Sequence, residues 1–136
     1  MMKDMIRTER LSIEPFDIKY LKDYFDGFNK EITKFQWPDP FPDIDSARNV
    51  LQDFLNEMKR GESLYFSVLS SSNSFLGSVE IHGLIEDRPE LGIWIVAGEQ
   101  NKGYAGEALC AVLDYVRSKY DKKVFSMRLI LEIKPA

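Results

Sequence analysis

An α/β fold built on one mixed β-sheet is predicted by three features of the chain. Short β-rich segments alternate with stretches of helical spacing, a polar turn joins two such segments into a hairpin, and one fully apolar run precedes a glycine-rich loop and a long amphipathic stretch. The element order is β-α-α-β-β-β-α-β. No repeat or linker interrupts it, so residues 1–136 are expected to form a single domain.

Residues 8–14 open the order. Leu11 and Ile13 fall on one side of an alternation, Ser12 and Glu14 on the other, and Pro15 closes the strand. Asp17 offers a cap for a short helix over 18–28, with Ile18, Leu21, Phe25 and Phe28 as its apolar set and Gly27 near its end. The segment Phe35 to Pro42 cannot be helical through prolines at 38, 40 and 42, yet it carries Phe35, Trp37 and Phe41. Asp43 or Asp45 caps the second helix, whose apolar residues Ala47, Val50, Leu51, Phe54, Leu55 and Met58 keep the helical period until Gly61.

Leu64 to Leu69 and Phe75 to Ile81 flank the polar turn Ser70 to Ser74, which predicts an antiparallel hairpin with Glu80 and His82 on one face of its second strand. A turn through Glu86 to Pro89 leads into Leu91 to Val96, apolar on both faces as a central, doubly covered strand should be. Gly103 to Tyr120 then reads as a long helix with Leu109, Val112, Leu113, Val116 and Tyr120 inward, and Val124 to Ile133 as the last strand.

Composition bounds the function classes. A chain of 136 residues with 44% hydrophobic and 29% charged content is too apolar to stay disordered and has enough of it to bury a core. No apolar run approaches the roughly 18 residues of a membrane span, so no membrane partner is expected. Eighteen basic against 22 acidic residues leave a formal charge of -4, which disfavours nucleic acid as the main partner. Cys110, alone and beside a single histidine, excludes a disulfide framework and the usual Cys/His zinc site, so no metal is expected. The first ten residues lack the apolar core of a signal peptide, and a cytoplasmic location is the expectation.

The chemistry is concentrated in Gly98 to Glu107. Successive backbone N–H groups entering a helix, with small residues where a ligand must approach closely, make a concave anion site assisted by the positive end of the helix. Phosphate is the natural occupant. The Gly98-to-Gly103 spacing imitates a P-loop, but Tyr104-Ala105 stands where that motif needs Lys and then Ser or Thr, and no dinucleotide glycine fingerprint is present.

These residues resemble the GNAT acyltransferases, in particular the branch containing ribosomal-protein-alanine N-acetyltransferases. Gln100-Asn101-Lys102-Gly103-Tyr104-Ala105 is similar to the family's Q/R-x-x-G-x-G/A coenzyme A signature, which Glu107-Ala108-Leu109 continues. Glu90-Leu91-Gly92-Ile93-Trp94-Ile95 looks like the strand that precedes it, and Thr8-Glu9-Arg10-Leu11 like the branch's start. The resemblance implies a GNAT-like, mostly antiparallel mixed sheet flanked by helices, with acetyl-coenzyme A as co-substrate. Its pyrophosphate would lie on Gln100, Asn101, Lys102, Gly103, Tyr104, Ala105 and Gly106, and its pantetheine arm along Trp94, Ile95 and Val96, pairing as an added strand would.

An acetyl group would then pass to a primary amine by direct attack, the acceptor being a small molecule, a peptide or a protein N-terminus. Glu90, at the start of the central strand and in phase with Trp94, is the first candidate base, and Glu80 the second. His82, Trp37 and Phe41 are candidate acceptor-site residues. The plainer readings are a turn carboxylate for Glu90, an exposed strand face for Glu80 and His82, and core packing for the aromatics. Lys102 meets a phosphate or is a solvated loop charge, Glu107 favours the helix dipole, and Cys110 is a packing residue. After Ser126 the text departs from the family's usual ending, so the chain reads as C-terminally truncated relative to the family. That departure leaves a non-catalytic acyl-coenzyme A-binding or regulatory module as the alternative function, and an uncovered sheet edge predicts a homodimer.

Overall fold

The computed structural model of the chain describes residues 5–28, 42–84, 89–120 and 126–129. Its strands are β1 (Ile6–Arg7), β2 (Leu11–Pro15), β3 (Ser63–Ser70), β4 (Phe75–His82), β5 (Glu90–Ile95) and β6 (Ser126–Leu129). Its α-helices are α1 (Leu21–Gly27), α2 (Ile44–Lys59) and α3 (Tyr104–Tyr120), with single 3-10 turns at Ile18–Tyr20 and Ala97–Glu99. The strands lie in chain order in one sheet. Neighbours from β1 to β5 are antiparallel, and β6 runs parallel to β5. The mixed, mostly antiparallel sheet is thus as the sequence predicts, and the hairpin of β3 and β4 is the expected one. The two-residue β1 is too short to show an alternation and was not anticipated.

Strand alternation divides the core into two layers. On one face Ile13, Val68, Val79, Leu91 and Ile93 pack against Ala108, Val112 and Val116 of α3. On the other, Tyr65 and Trp94 pack with Phe16, Tyr24 of α1 and Leu51 of α2. β5 serves both layers because each of Leu91 to Ile95 is buried, which is why its sequence shows no polar side. Trp94, 2% exposed, is the centre of the second layer, with an edge contact from Tyr24 at 5.7 Å and a tilted one from Phe28 at 5.3 Å between ring centroids.

The inward face of α1 differs from the expected one. Ile18 is 39% exposed, and Tyr24 and Gly27 are the buried residues. The cause is the 3-10 turn at 18–20, whose tighter winding takes Ile18 out of phase with the α-helix that follows. Tyr24 escapes a hydropathy reading because it carries a hydroxyl, which donates to Ser78 Oγ at 2.8 Å beneath the helix. In α2 the buried residues are Ala47 and Leu51, while Val50 is exposed at the margin of the apolar stripe.

Asp43, not Asp45, caps α2, its carboxylate accepting from Ser46 N at 2.8 Å. That hydrogen bond holds the Asp43 carboxyl below the usual carboxylate range. A lowered folded value stabilises the fold above the unfolded carboxylate's titration, and the contribution fades as pH falls through the folded value. Asp43→Ala should therefore lower the thermal midpoint at neutral pH more than at acid pH, while Asp43→Asn should keep most of the cap. Melting curves at the two pH values check this.

Candidate active site

β5, buried on both faces as expected but fifth of the six described strands rather than central, ends at Ile95, and the chain turns through Ala97–Glu99 into α3, so the predicted anion loop is a tight connection from this strand to the longest described helix. Two residues in it take left-handed backbone angles, Asn101 with φ 67° and Gly103 with φ 84°. Glycine accepts that conformation without strain and asparagine better than most others. Gln100 turns its side-chain amide back to donate to Ile95 O at 3.0 Å, which pins the loop to the strand end. The N–H groups of the first turn of α3 have no acceptor within the helix, as in any helix, and they sit beside the positive end of its dipole.

A Cβ added at Gly98 or Gly106 would meet nothing within 4 Å, so open space adjoins both ends of the loop. An anionic group of phosphate size suits this arrangement of donors, dipole and space. Lys102 is engaged differently from the phosphate contact weighed above, its ammonium lying 2.9 Å from Glu99 Oε1. Glu107 does more than face the helix dipole. It accepts from the Arg10 guanidinium at 2.7 Å, from Arg10 N at 3.0 Å and from the Thr8 hydroxyl.

The structure brings the end of β5 next to this loop. Val96 N donates to Leu76 O at 2.8 Å, which ties one edge of the strand end to β4. The Trp94 side chain is in the core, and strand alternation turns its backbone groups toward β4 and those of Ile95 toward the opposite edge.

A polar cluster lies on the α2 side of the same sheet. Register places Glu80 opposite Gly92 and His82 opposite Glu90, so the three predicted residues share one face. His82 Nε2 is 3.0 Å from Glu80 Oε1. Its Nδ1 is 3.4 Å from the hydroxyl of Tyr65, which donates to Glu57 Oε1 at 2.8 Å. Because the single Tyr65 proton goes to Glu57, the tyrosine oxygen faces Nδ1 as an acceptor, and both imidazole nitrogens are placed to donate. Glycine at 92 leaves no side chain over Glu80.

Sequence reasoning did not find Glu57 and Tyr65. Tyr65 alternates in phase with Ser63 and Ser67 and is only 1% exposed, so nothing local marks it as a partner of His82. Trp37 and Phe41, the expected acceptor-groove aromatics, lie outside the described residues, as does Phe35.

The hydrogen bond to Glu80 raises the His82 pKa above its ordinary 6.5, with the charges of Glu80, Glu90 and Glu57 acting in the same direction and desolvation opposing them. Burial is the largest cause pushing the Tyr65 hydroxyl up, helped by its bond to Glu57. A raised histidine pKa stabilises the fold fully below the unfolded value and loses that contribution as pH rises through the folded value. Wild-type stability should therefore fall between slightly acid and mildly alkaline pH relative to Glu80→Gln, in which the slope should be shallower. Denaturant unfolding as a function of pH measures it.

The chain belongs to the acetyltransferase (GNAT) domain family, which it matches over residues 10–135. It is 25% identical over 118 residues to the uncharacterized N-acetyltransferase p20 of Bacillus licheniformis, covering 82% of this chain and 65% of that protein. Thus it spans somewhat less than two thirds of that relative's length. Among solved structures, the ribosomal L7/L12 alpha-N-protein acetyltransferase RimL in complex with coenzyme A superposes with a TM-score of 0.81 at 15% identity, covering 91% of this chain and 73% of that one. Spermidine N-acetyltransferase from Vibrio cholerae, in complex with coenzyme A and spermine, gives 0.75 at 18% identity over 88% and 71%. Among the described residues no helix is long and apolar enough to cross a membrane, and no group of three or more His, Cys, Asp and Glu is placed to hold a metal ion.

Proposed function

We propose that the chain is an N-acetyltransferase that takes acetyl-coenzyme A as co-substrate and a primary amine as acceptor. The observation that carries this reading is the junction of β5 with α3, where an open, N–H-rich helix start directly follows the end of a strand buried on both faces. Gln100 to Gly106 hold the pyrophosphate through backbone donors, and the pantetheine arm lies along the Trp94 to Val96 strand end, where Ile95 N is the backbone group turned away from β4. When bound, acetyl-coenzyme A supplies an acetyl group activated as a thioester.

The chain's own residues then have three tasks. The loop and the strand end orient the thioester, and a strand N–H faces the carbonyl oxygen where negative charge develops. The acceptor amine must be neutral to attack, yet reference pKa values of about 10.4 for Lys and about 8 for an α-amino group keep it protonated at neutral pH. Glu90 or Glu80 takes that proton, with His82 fixing the Glu80 carboxylate at 3.0 Å. As the C–N bond forms and the C–S bond breaks, the proton that the nitrogen sheds on becoming an amide passes to the departing sulfur, and the coenzyme would leave as its thiol. The face formed by Glu57, Glu80, His82 and Glu90 suits a cationic acceptor, in keeping with the amine substrates named for the RimL and spermidine enzymes.

The experiment is thiol release from acetyl-coenzyme A in the presence of spermidine, lysine and short peptides with free N-termini. Amine-dependent release is the expected result. Saturable binding of acetyl-coenzyme A without release across the panel would overturn the transferase reading in favour of a coenzyme-binding module.

A further inference from the structure

The turn between β1 and β2 reaches across the sheet end to the loop that opens α3. Thr8 N donates to Leu11 O at 3.0 Å to close this turn. From it, Arg10 donates through Nε to Glu107 Oε1 at 2.7 Å, through its backbone N to Glu107 Oε2 at 3.0 Å, and through Nη1 to Lys102 O at 2.9 Å. The Thr8 hydroxyl donates to the same Glu107 carboxylate. The guanidinium also stacks over the Tyr104 ring, 4.6 Å from its centroid. One side chain therefore touches the loop at Lys102, the first helical residue Tyr104, and the first turn at Glu107.

We propose that Arg10 is a positioning residue for coenzyme A, a latch that presets the pyrophosphate loop before the coenzyme arrives. The idea rests on the function proposed above. Its physical basis is the planar trans peptide: with Lys102 C=O held toward Arg10, the N–H of Gly103 in the same peptide plane must point the opposite way. The latch thus aims a donor rather than supplying one. Gly103 serves it in two respects, by accepting φ 84° and by lacking a Cβ, which would stand 3.2 Å from Arg10 Nη2.

A single exposed ion pair would have little consequence for stability, and Arg10 and Glu107 side chains are 43% and 21% exposed. What distinguishes this one is convergence, since the guanidinium fork meets a carboxylate, a carbonyl and a ring together. Lysine cannot reproduce that geometry. Preorganised donors spare the ligand the cost of ordering the loop, so the effect belongs to coenzyme affinity.

The test compares wild type, Arg10→Ala, Arg10→Lys, Glu107→Gln and the double variant Arg10→Ala/Glu107→Gln. Amide hydrogen exchange at 103–107 without ligand, affinity for acetyl-coenzyme A, and KM against kcat are the readouts. Arg10→Ala should exchange faster at these amides and bind acetyl-coenzyme A about tenfold more weakly, the loss of a charge-assisted contact. Its kcat at saturation and its amine KM should stay within about twofold of wild type. Arg10→Lys should fall between the two, and the double variant should be no worse than Arg10→Ala, because both lesions break one unit. Wild-type affinity and loop exchange in Arg10→Ala would overturn the latch, as would additive losses in the double variant. If wild type itself binds no acetyl-coenzyme A, the function proposed above fails, and loop exchange in Arg10→Ala still decides whether the latch exists.

Discussion

Gly77→Ala is expected to destabilise the fold by about 3 kcal/mol, the upper end of the cost of overpacking, and to lower the thermal midpoint by about 10 °C. A Cβ at this position would lie 2.0 Å from the carbonyl oxygen of Trp94 and 2.9 Å from Ile95 Cα. Both obstacles are backbone, so no rotamer change relieves them. The end of β5 must move away from β4, where Gly77 is registered with Ile95 and Val96 N donates to Leu76 O. That strand end is also where the pantetheine arm is proposed to lie, so the same variant should bind acetyl-coenzyme A more weakly even at temperatures where it stays folded. A melting curve within one or two degrees of wild type (about 0.5 kcal/mol) would show that the two backbones separate more easily than this packing implies.

Replacing both candidate bases should have the largest effect on rate. Glu80→Gln and Glu90→Gln keep the shape of each side chain and remove its capacity to take a proton, so the double variant should lose about a thousandfold in kcat, within the usual range for general base catalysis. The single variants divide the roles, and the residue that acts as base should carry most of the loss. Raising the pH should partly restore the rate by supplying neutral amine from solvent. Stability serves as the control: Glu80→Gln removes the carboxylate that raises the His82 pKa, so its effect on folding should be confined to acid and neutral pH. A double variant with full activity would remove these carboxylates from the chemistry.

How much of this was visible in the sequence depends on the range over which each interaction acts. The apolar run Leu91 to Ile95 announces a doubly covered strand because burial on both faces leaves no polar position. The loop Gln100 to Gly106 is legible because a helix start, small residues and a left-handed glycine are consecutive in the chain. Alternation alone put Glu80 and His82 on one face, and the register of β4 with β5 added Glu90 to them. Contacts between distant positions left no such trace. Tyr65 and Glu57 join His82 from another strand and from a helix, Tyr24 finds Ser78 at a separation of 54 residues, and Thr8 meets Glu107 at a separation of 99. The face of α1 was misjudged for a local reason, since a 3-10 turn and an α-helix have different periods and the sequence does not mark where one becomes the other.

The junction of β5 and α3 is the proposed coenzyme site. Residue-resolved NMR titration of the protein with acetyl-coenzyme A addresses it most directly, because backbone amides are the proposed ligands. The predicted result is saturable change with the largest amide shifts at Gly103 to Gly106 and at Trp94 to Val96. Saturable binding with the shifts elsewhere on the sheet, or no change at these amides at any concentration, would contradict it.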